Sequence, residues 1–588
     1  MRTTSFGAHL MVAVLLWLTS FSACAQPSKI SSDMKPGNAD PYKKEWKSID
    51  SLENNGLYKS ALEEVEQLYA RTLREGQHAQ MVKALIYKMR FVQQLDDKGI
   101  VAAIGSLQTE AAKAPLPAKA VLESMLGELL FSYYENQRYQ IDNRTTVADF
   151  RPEDLQTWSG EQIITESARY YLASVQHPGL ADVAIQQFDA VTTEAKLTDE
   201  LRPTLFDLLA WRAIEHFSNE RGYLTRPAYR FELKEAAAFA DAATFVQHDF
   251  ATRDTASFHH RAVLLYQQWL KLRLSQNNLS ALLDADLHRL RFAYAHSAHP
   301  EKEQRYKAAL LRAIAARPRE AMTADYRHEL ARWYYQYGSD YKPQTDEDDK
   351  KWAWKEALSI CETCIGEHAG APGVNGCLEL KTMILGKELS LQTEQAGVPG
   401  QAVLAHISYR NLGRAYLKVV PLKWEERDRF ERWETNKDLE WLNKIKPVQQ
   451  LTVELKNPGD YRQHSTEAAL KALPAGWYAI LVSDNDKFRF KDNTAGFVTI
   501  QVSNIAYLNR QQPEGGAEFV VVDRYTGAPM PGVKAEFFEE NYDWSSRRQI
   551  RNRVGEALSN AEGFIASPDA GGRNMSVVFS KGDRKSVV

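Results

Sequence analysis

The densest chemistry in the sequence is the run CETCIGEHAGAPGVNGC, from Cys361 to Cys377. Cys361, Cys364, His368 and Cys377 are of the types that tetrahedral zinc takes, thiolate and imidazole. A C-x-x-C pair also suits thiol–disulfide exchange. An oxidising compartment would instead favour a disulfide. Cys361 closes one helical stretch and Cys377 opens the next, and antiparallel helix neighbours bring such positions within bridging distance. The expected product is a Cys361–Cys377 bridge, with Cys364 left over or exchanging for Cys361. Other candidates are weaker. His296 and His299 stand near Glu301, and His259 adjoins His260, but neither spacing is that of a structural zinc site. Both sets read as exposed or core histidines. The stretch GAPGVNG, Gly370 to Gly376, lies between two helical runs and reads as an interhelix loop. The sequence contains no G-x-S-x-G elbow, no H-E-x-x-H, no phosphate-binding glycine loop. No catalytic residue, cofactor or metal ligand is assigned, and no enzymatic activity is expected.

The chain is 588 residues long with a formal charge of −3. That balance offers no whole-chain reason to expect a nucleic-acid partner. Arg2 followed by the apolar run Leu10 to Phe21 reads as a secretory signal, too short to span a membrane. Two processing routes stay open: cleavage at Ala23-Cys24-Ala25, which leaves Gln26 first, or a lipobox-like Ser22-Ala23-Cys24, which leaves Cys24 lipidated. The protein is expected in the periplasm or cell envelope, with membrane contact only through that lipid. Residues 1–25 are the signal, and 26–40, rich in Pro, Gly and Ser, a flexible leader.

Residues 41–385 show helical periodicity. Trp46, Ile49 and Leu52 mark one apolar stripe, Asn54-Asn55-Gly56 breaks it, and Tyr58, Ala61, Leu62, Val65 and Leu68 mark the next. Similar units follow without a strict repeat, so an irregular α-solenoid of helical hairpins is expected. Tyr133, Tyr134, Trp211, Trp269, Tyr334 and Tyr335 read as helix–helix core. The pattern then changes to alternation. AVLAHISYRNLGRAYLKVVPL reads as a hairpin turning at Asn411 to Gly413, with Val403, Ala405, Ile407 and Tyr409 on one face. GWYAILVSD and AGFVTIQVSN read as strands, STEAALKALPAG as a short helix capped by Ser465, and the charged stretch near 424–446 as a helical insertion. These make a first β-sandwich over 386–508. RQQPEGGAEF reads as a linker. A second sandwich, expected to be incomplete, occupies 513–588. It opens with VVVDRYTGAPMPGVKAEFF, read as a hairpin, and adds a strand pair around Asn560 to Gly563.

In this order the stretches resemble a known family. LLFSYYENQRYQI, LRPTLFDLLAWRAIEHF, VLAHISYRNLGRAYLKVVPL, LPAGWYAILVSDN and VVVDRYTGAPMPGVKAEFF are similar to the N-terminal part of bacterial alpha-2-macroglobulin-like proteins. The resemblance implies tandem Ig-like, macroglobulin-type sandwiches after the helical region. It also implies that the chain is the scaffold portion of an exported endopeptidase inhibitor whose partners are proteases. In that family a bait segment is cut and a C-x-E-Q thioester bonds to the attacker. The nearest match, Cys377-Leu378-Glu379-Leu380, has Leu in place of Gln and lies in the helical region, so it is not assigned. Bait and thioester are expected in a longer parent. The other reading is a carbohydrate- or peptide-binding protein, since DRYTGAPMPGV also resembles a carboxypeptidase-regulatory-like β-domain.

Overall fold

The computed structural model describes residues 41–95, 99–142, 154–192, 198–219, 228–346, 348–423, 426, 435–489, 494–511, 517–543, 548–568, 575–582 and 584–587. The signal, the leader and Cys24 lie outside these residues. The chain is α then β, in two compact units. One comprises residues up to Leu330 together with Gly366–Val374, the other Ala331–Ile365 together with Asn375 onward.

The helices of the first unit follow in order. They are α1 (Lys43–Asn54), α2 (Tyr58–Arg74), α3 (His78–Leu95), α4 (Gly99–Lys113), α5 (Ala118–Asp142), α6 (Gly160–Gln176), α7 (Thr198–Leu201), α8 (Leu205–Phe217), α9 (Ala242–Gln247), α10 (Phe258–Ser275), α11 (Leu279–His296) and α12 (Lys302–Ala316). Helices α13 (Thr323–Ser339), α14 (Asp348–Glu367) and α15 (Gly373–Leu385) contribute residues to both units. The predicted stripes form a core: Trp46, Ile49, Ala61, Val65 and Leu68 are buried together with Ala84 and Phe91 of α3. Most of α5 is buried, Glu123, Ser124 and Glu128 included, because neighbouring helices enclose it on nearly every side. Of the expected core aromatics, Tyr133, Tyr134 and Trp269 are buried, while Trp211, Tyr334 and Tyr335 are half-buried. The hairpin pattern lapses between α6 and α10. After α6 the described chain runs through the 3-10 turns Leu180–Asp182 and Ile185–Phe188, where Pro178 withholds the backbone donor that a continued helix needs, before α8 resumes the helical path.

The second unit contains two sandwiches. The first comprises β1 (Glu388–Thr393), β2 (Ala396–Gly397), β3 (Val403–Arg410), β4 (Arg414–Leu422), β5 (Gln449–Glu454), β6 (Gln463–Leu470), β7 (Gly476–Ser483) and β8 (Ala495–Val502). One sheet has the order β1-β3-β6, the other β2-β8-β7-β4-β5. The inward residues of both, including Ile407, Leu417, Ile480 and Ile500, make one core. The second comprises β9 (Ile505–Gln511), β10 (Ala517–Asp523), β11 (Lys534–Asp543), β12 (Arg548–Leu558), β13 (Phe564–Ala566), β14 (Met575–Lys581) and β15 (Arg584–Val587), in sheets β13-β10-β9 and β12-β11-β14-β15. Apart from the short β2, the two strand orders are identical, and both are immunoglobulin-like.

Five local expectations are corrected. The run from Val403 to Leu422 is not a hairpin: β3 and β4 lie in opposite sheets. Both present apolar residues inward, so the turn at Asn411 to Gly413 carries the chain across the core. The same holds for β10 and β11, on either side of the TGAPMPG turn, and for β12 and β13 around Asn560. STEAAL is strand β6, not helix. It pairs with β3 over eight residues and buries Ala468 and Leu470, so tertiary pairing overrides the helix preference of Ala, Glu and Leu. RQQPEGGAEF is not an interdomain linker but bridges β9 and β10, which pair directly from Gln511↔Ala517 to Ile505↔Asp523. Residues from 513 onward are therefore joined by β9, and the second sandwich has seven strands among the described residues.

Within the charged stretch between β4 and β5, α16 (Thr435–Asn443) lays Leu439 and Leu442 on the outer face of the larger sheet, against Val420, Leu481 and Phe488. Tyr478, near the start of β7, donates its hydroxyl to the Pro474 carbonyl at 3.1 Å. This is the tyrosine corner of immunoglobulin-like folds. Tyr478→Phe should lower the stability of this sandwich by about 1 kcal/mol, the net worth of one such bond, in urea unfolding.

Candidate functional site

Cys361 and Cys364 lie one turn apart on α14, and Cys377 on α15; all three are buried. Cys361 stands as a thiol. His368 follows α14 and is also buried, and burial together with Arg327 lowers its pKa. Among the described residues no three His, Cys, Asp or Glu side chains converge as a metal site. His299 is engaged locally, with its ring nitrogens near the Glu301 N–H and Arg305 Nε. His259 and His296 have ring centroids 4.3 Å apart. His260 contacts the Phe250 carbonyl at 2.9 Å. The GAPGVNG loop turns at Gly370, and Gly373 then opens α15 where a Cβ would stand 2.4 Å from the backbone of Ala324. That glycine serves close helix packing. Its N–H faces Asp325, whose carboxyl is raised to about 6, chiefly by burial.

The notable polar feature of the helical unit is a set of buried arginine–carboxylate pairs that sequence reasoning did not single out. Asp207, in the first turn of α8, accepts the Thr204 N–H at 2.8 Å and the Thr204 hydroxyl at 2.7 Å. The same carboxylate accepts Trp269 Nε1 at 2.7 Å and Arg273 Nη2 at 2.9 Å, both from α10. The Asp207 and Arg273 side chains have no solvent exposure. One signal was present: Thr204-Leu205-Phe206-Asp207 has the spacing of a capping box. Arg212 of α8 reaches α5, donating to Ser124 Oγ at 2.8 Å and Glu128 at 2.6 Å. Arg202 reaches α11, donating to Asp284 at 3.1 Å beside His288, and lies 4.3 Å from the Trp211 ring. Burial would raise the Asp284 pKa, but His288 and Arg202 together hold it at about 2. Arg289 binds Asp286 and the carbonyls of Ala238 and Ala240.

These groups fix helices to one another. A guanidinium is always charged and is no acid or base, and each carboxylate is occupied by its partner. The arrangement sets helix register and has no free nucleophile at its centre. Beside it, His216 is enclosed by aromatic rings. It stacks on Tyr171 at 4.4 Å and meets Phe131 edge-on at 4.9 Å. Burial, and then the charge of Arg261, pushes its pKa down to about 3. The folded form thus excludes a proton that the unfolded chain binds below about pH 6.5. Stability of the helical unit should fall progressively from pH 6.5 towards pH 3 and gain nothing from this group above 6.5. His216→Phe should flatten that slope in pH-dependent urea titrations; an unchanged slope would assign the acid sensitivity elsewhere.

A surface cleft of about 480 Å³ lies between α1 and α2, lined by Lys44, Glu45, Glu64 and Arg71 among others. Part of its lining is paired internally: Arg71 pairs with Glu45 at 2.8 Å, and the Ser48 hydroxyl donates to Glu64 at 3.1 Å. In the second unit, Arg462 ties α14 to the first sandwich. It donates to the carbonyls of Lys351 at 2.9 Å and Lys350 at 2.7 Å and packs against Tyr341 and Trp354. Asn411 donates to the carbonyls of Ile384 and Gly386 at the end of α15. The helical stretch from Ala331 to Ile365 is therefore built into the β unit.

No protein-family profile matches the chain, and no curated protein does. Among solved structures, the chain is similar to a fragment of native alpha-2-macroglobulin from Escherichia coli spanning domains MG0-NIE-MG1, at 14% identity and TM-score 0.26, over 34% of this chain and 64% of that one. A shorter fragment of the same protein, spanning NIE-MG1, matches at 14% identity and TM-score 0.25, over 34% of this chain and 96% of that one. Red sea bream transglutaminase matches at 13% identity and TM-score 0.19, over 38% and 34%.

Proposed function

We propose that this chain is the scaffold portion of an exported, alpha-2-macroglobulin-like endopeptidase inhibitor, acting on proteases through a longer parent and not as an enzyme. The observation that carries the reading is the tandem of two sandwiches of equal strand order behind a helical unit, in the order that the sequence resemblance implies. The buried arginine–carboxylate pairs support a structural role, since they join helices to one another. Export follows from the signal-like N-terminus, with Cys24 the residue that a lipid would modify. A Cys361–Cys377 bridge in the exported protein belongs to the same reading. Thiol counting under denaturing conditions, before and after reduction, tests it.

The chain itself should neither inhibit nor hydrolyse. Incubated with serine, cysteine and metalloproteases, it should leave their cleavage of a large protein substrate unchanged. The longer parent should protect the large substrate while a short peptide substrate is still cut, because a cage excludes by size. Turnover by the pure chain that one point mutation abolishes would overturn the reading. Saturable saccharide binding would replace it with the carbohydrate-binding alternative.

A further inference from the structure

The two sandwiches meet at Ser503 and Asn504, since β8 ends at Val502 and β9 begins at Ile505. A joint between tandem domains is ordinarily an exposed, mobile segment rich in Pro, Gly and polar residues. This one is different. Val502 is buried in the first core and Ile505 in the second, and Ser503 between them is wholly buried. The Ser503 N–H donates to the Gly397 carbonyl in β2 of the first sandwich at 3.0 Å. Its hydroxyl accepts the Ile505 N–H at 3.1 Å.

On the other side, one residue of the second sandwich holds every carbonyl of the joint. Arg524 donates its backbone N–H to Asn504 O at 2.6 Å, its Nε to Ser503 O at 3.1 Å and its Nη2 to Ile505 O at 3.1 Å. Arg524 is itself held by a braced turn. Asp523 Oδ1 accepts the N–H groups of Tyr525 and Thr526 and the Thr526 hydroxyl, and the Gly527 N–H returns to Asp523 O at 2.8 Å. The stretch DRYTGAP is therefore more than a crossover between sheets.

We propose that Arg524, presented by the DRYTGAP turn, locks the Ser503–Asn504 joint, so that the two sandwiches form one rigid body with a fixed interdomain angle. The grouping of both sandwiches in one compact unit agrees. One residue donating to three successive main-chain carbonyls, two through its guanidinium and one through its backbone N–H, leaves the joint few free torsions. This inference does not depend on the protease-trap reading, because it concerns the angle between two domains and not what they bind.

The test is a distance distribution between nitroxides at two exposed sites, Ser465→Cys on β6 and Asn552→Cys on β12, in the full chain, with each single-site variant as the control for label on native thiols. With Arg524 in place, one narrow distance is expected. Arg524→Ala should broaden the distribution about twofold or more, as interdomain motion is released. A broad distribution with Arg524 present, or one as narrow after Arg524→Ala, would overturn the proposal. Should Arg524→Ala fail to fold, inserting Gly-Gly-Ser between Ser503 and Asn504 separates the joint from its clamp and leaves both cores intact. That variant should also broaden, and a narrow result there would show that contacting faces, not the clamp, set the angle.

Discussion

Asp207→Ala should destabilise the helical unit by about 3–5 kcal/mol, the cost of leaving a buried charge without its partner. Three things are lost at once. Arg273 loses its carboxylate in a place without solvent, Trp269 Nε1 loses its acceptor, and the first turn of α8 loses the group that accepts from Thr204. The measurement is urea unfolding followed by far-ultraviolet circular dichroism, which the helices dominate. The double variant Asp207→Leu with Arg273→Met separates two explanations. If the loss comes chiefly from the orphaned charge, the double variant should recover most of the stability, because apolar replacements of a buried pair are often neutral. If the double variant is as unstable as the single one, the capping and indole bonds carry the cost instead.

Gly563→Ala should cost the second sandwich about 3 kcal/mol, from left-handed backbone strain together with a direct clash. Gly563 has φ +76°, and a Cβ there would stand 2.3 Å from the Val521 carbonyl oxygen. The same glycine accepts the Val521 N–H at 2.8 Å, so the turn after β12 is bonded across to β10 just before β13 begins. A methyl group must push β10 away or break that bond. Native-state hydrogen exchange reads the effect locally. The amides of Val521 and its neighbours on β10 should exchange about 100-fold faster, while those of β7 in the first sandwich stay as slow as before. Equal loss in both sandwiches would show that the two unfold together.

Much of the architecture was legible because burial imposes a period. The spacing of Trp46, Ile49 and Leu52, and of Ala61, Val65 and Leu68, places each set on one helix face, and those faces are buried. Alternation placed Val403, Ala405, Ile407 and Tyr409 on one side of β3, where the core lies. What alternation leaves open is pairing. A strand that buries every second residue does so equally well beside its sequence neighbour or across the core from it. By alternation alone, three pairs of strands adjacent in sequence therefore read as neighbours in one sheet, whereas the chain changes sheets at each. The Gly- and Pro-rich stretch before β10 looks like an interdomain linker by composition, but the strands on either side of it pair with each other. The joint at Ser503 and Asn504 has no compositional mark at all.

The polar features divide in the same way. The cysteine run stood out because thiols are rare in this chain, and the glycine run because its spacing imitates a phosphate loop. Thr204 and Asp207 had a readable spacing, since a capping box is local. Arg273, Arg202 and Arg212 had none: each meets a carboxylate more than sixty residues away in sequence. An arginine on a helix is ordinarily solvated, and only the packing of another helix over it turns it into a buried partner.

The order of helical and strand regions, and which face of each element turns inward, were therefore written in the residues themselves, because hydrophobic burial is read one element at a time. Sheet membership, the buried ion pairs and the clamp on the interdomain joint were decided only in three dimensions. Each depends on which distant segment arrives opposite, and the chemistry of one segment does not specify that.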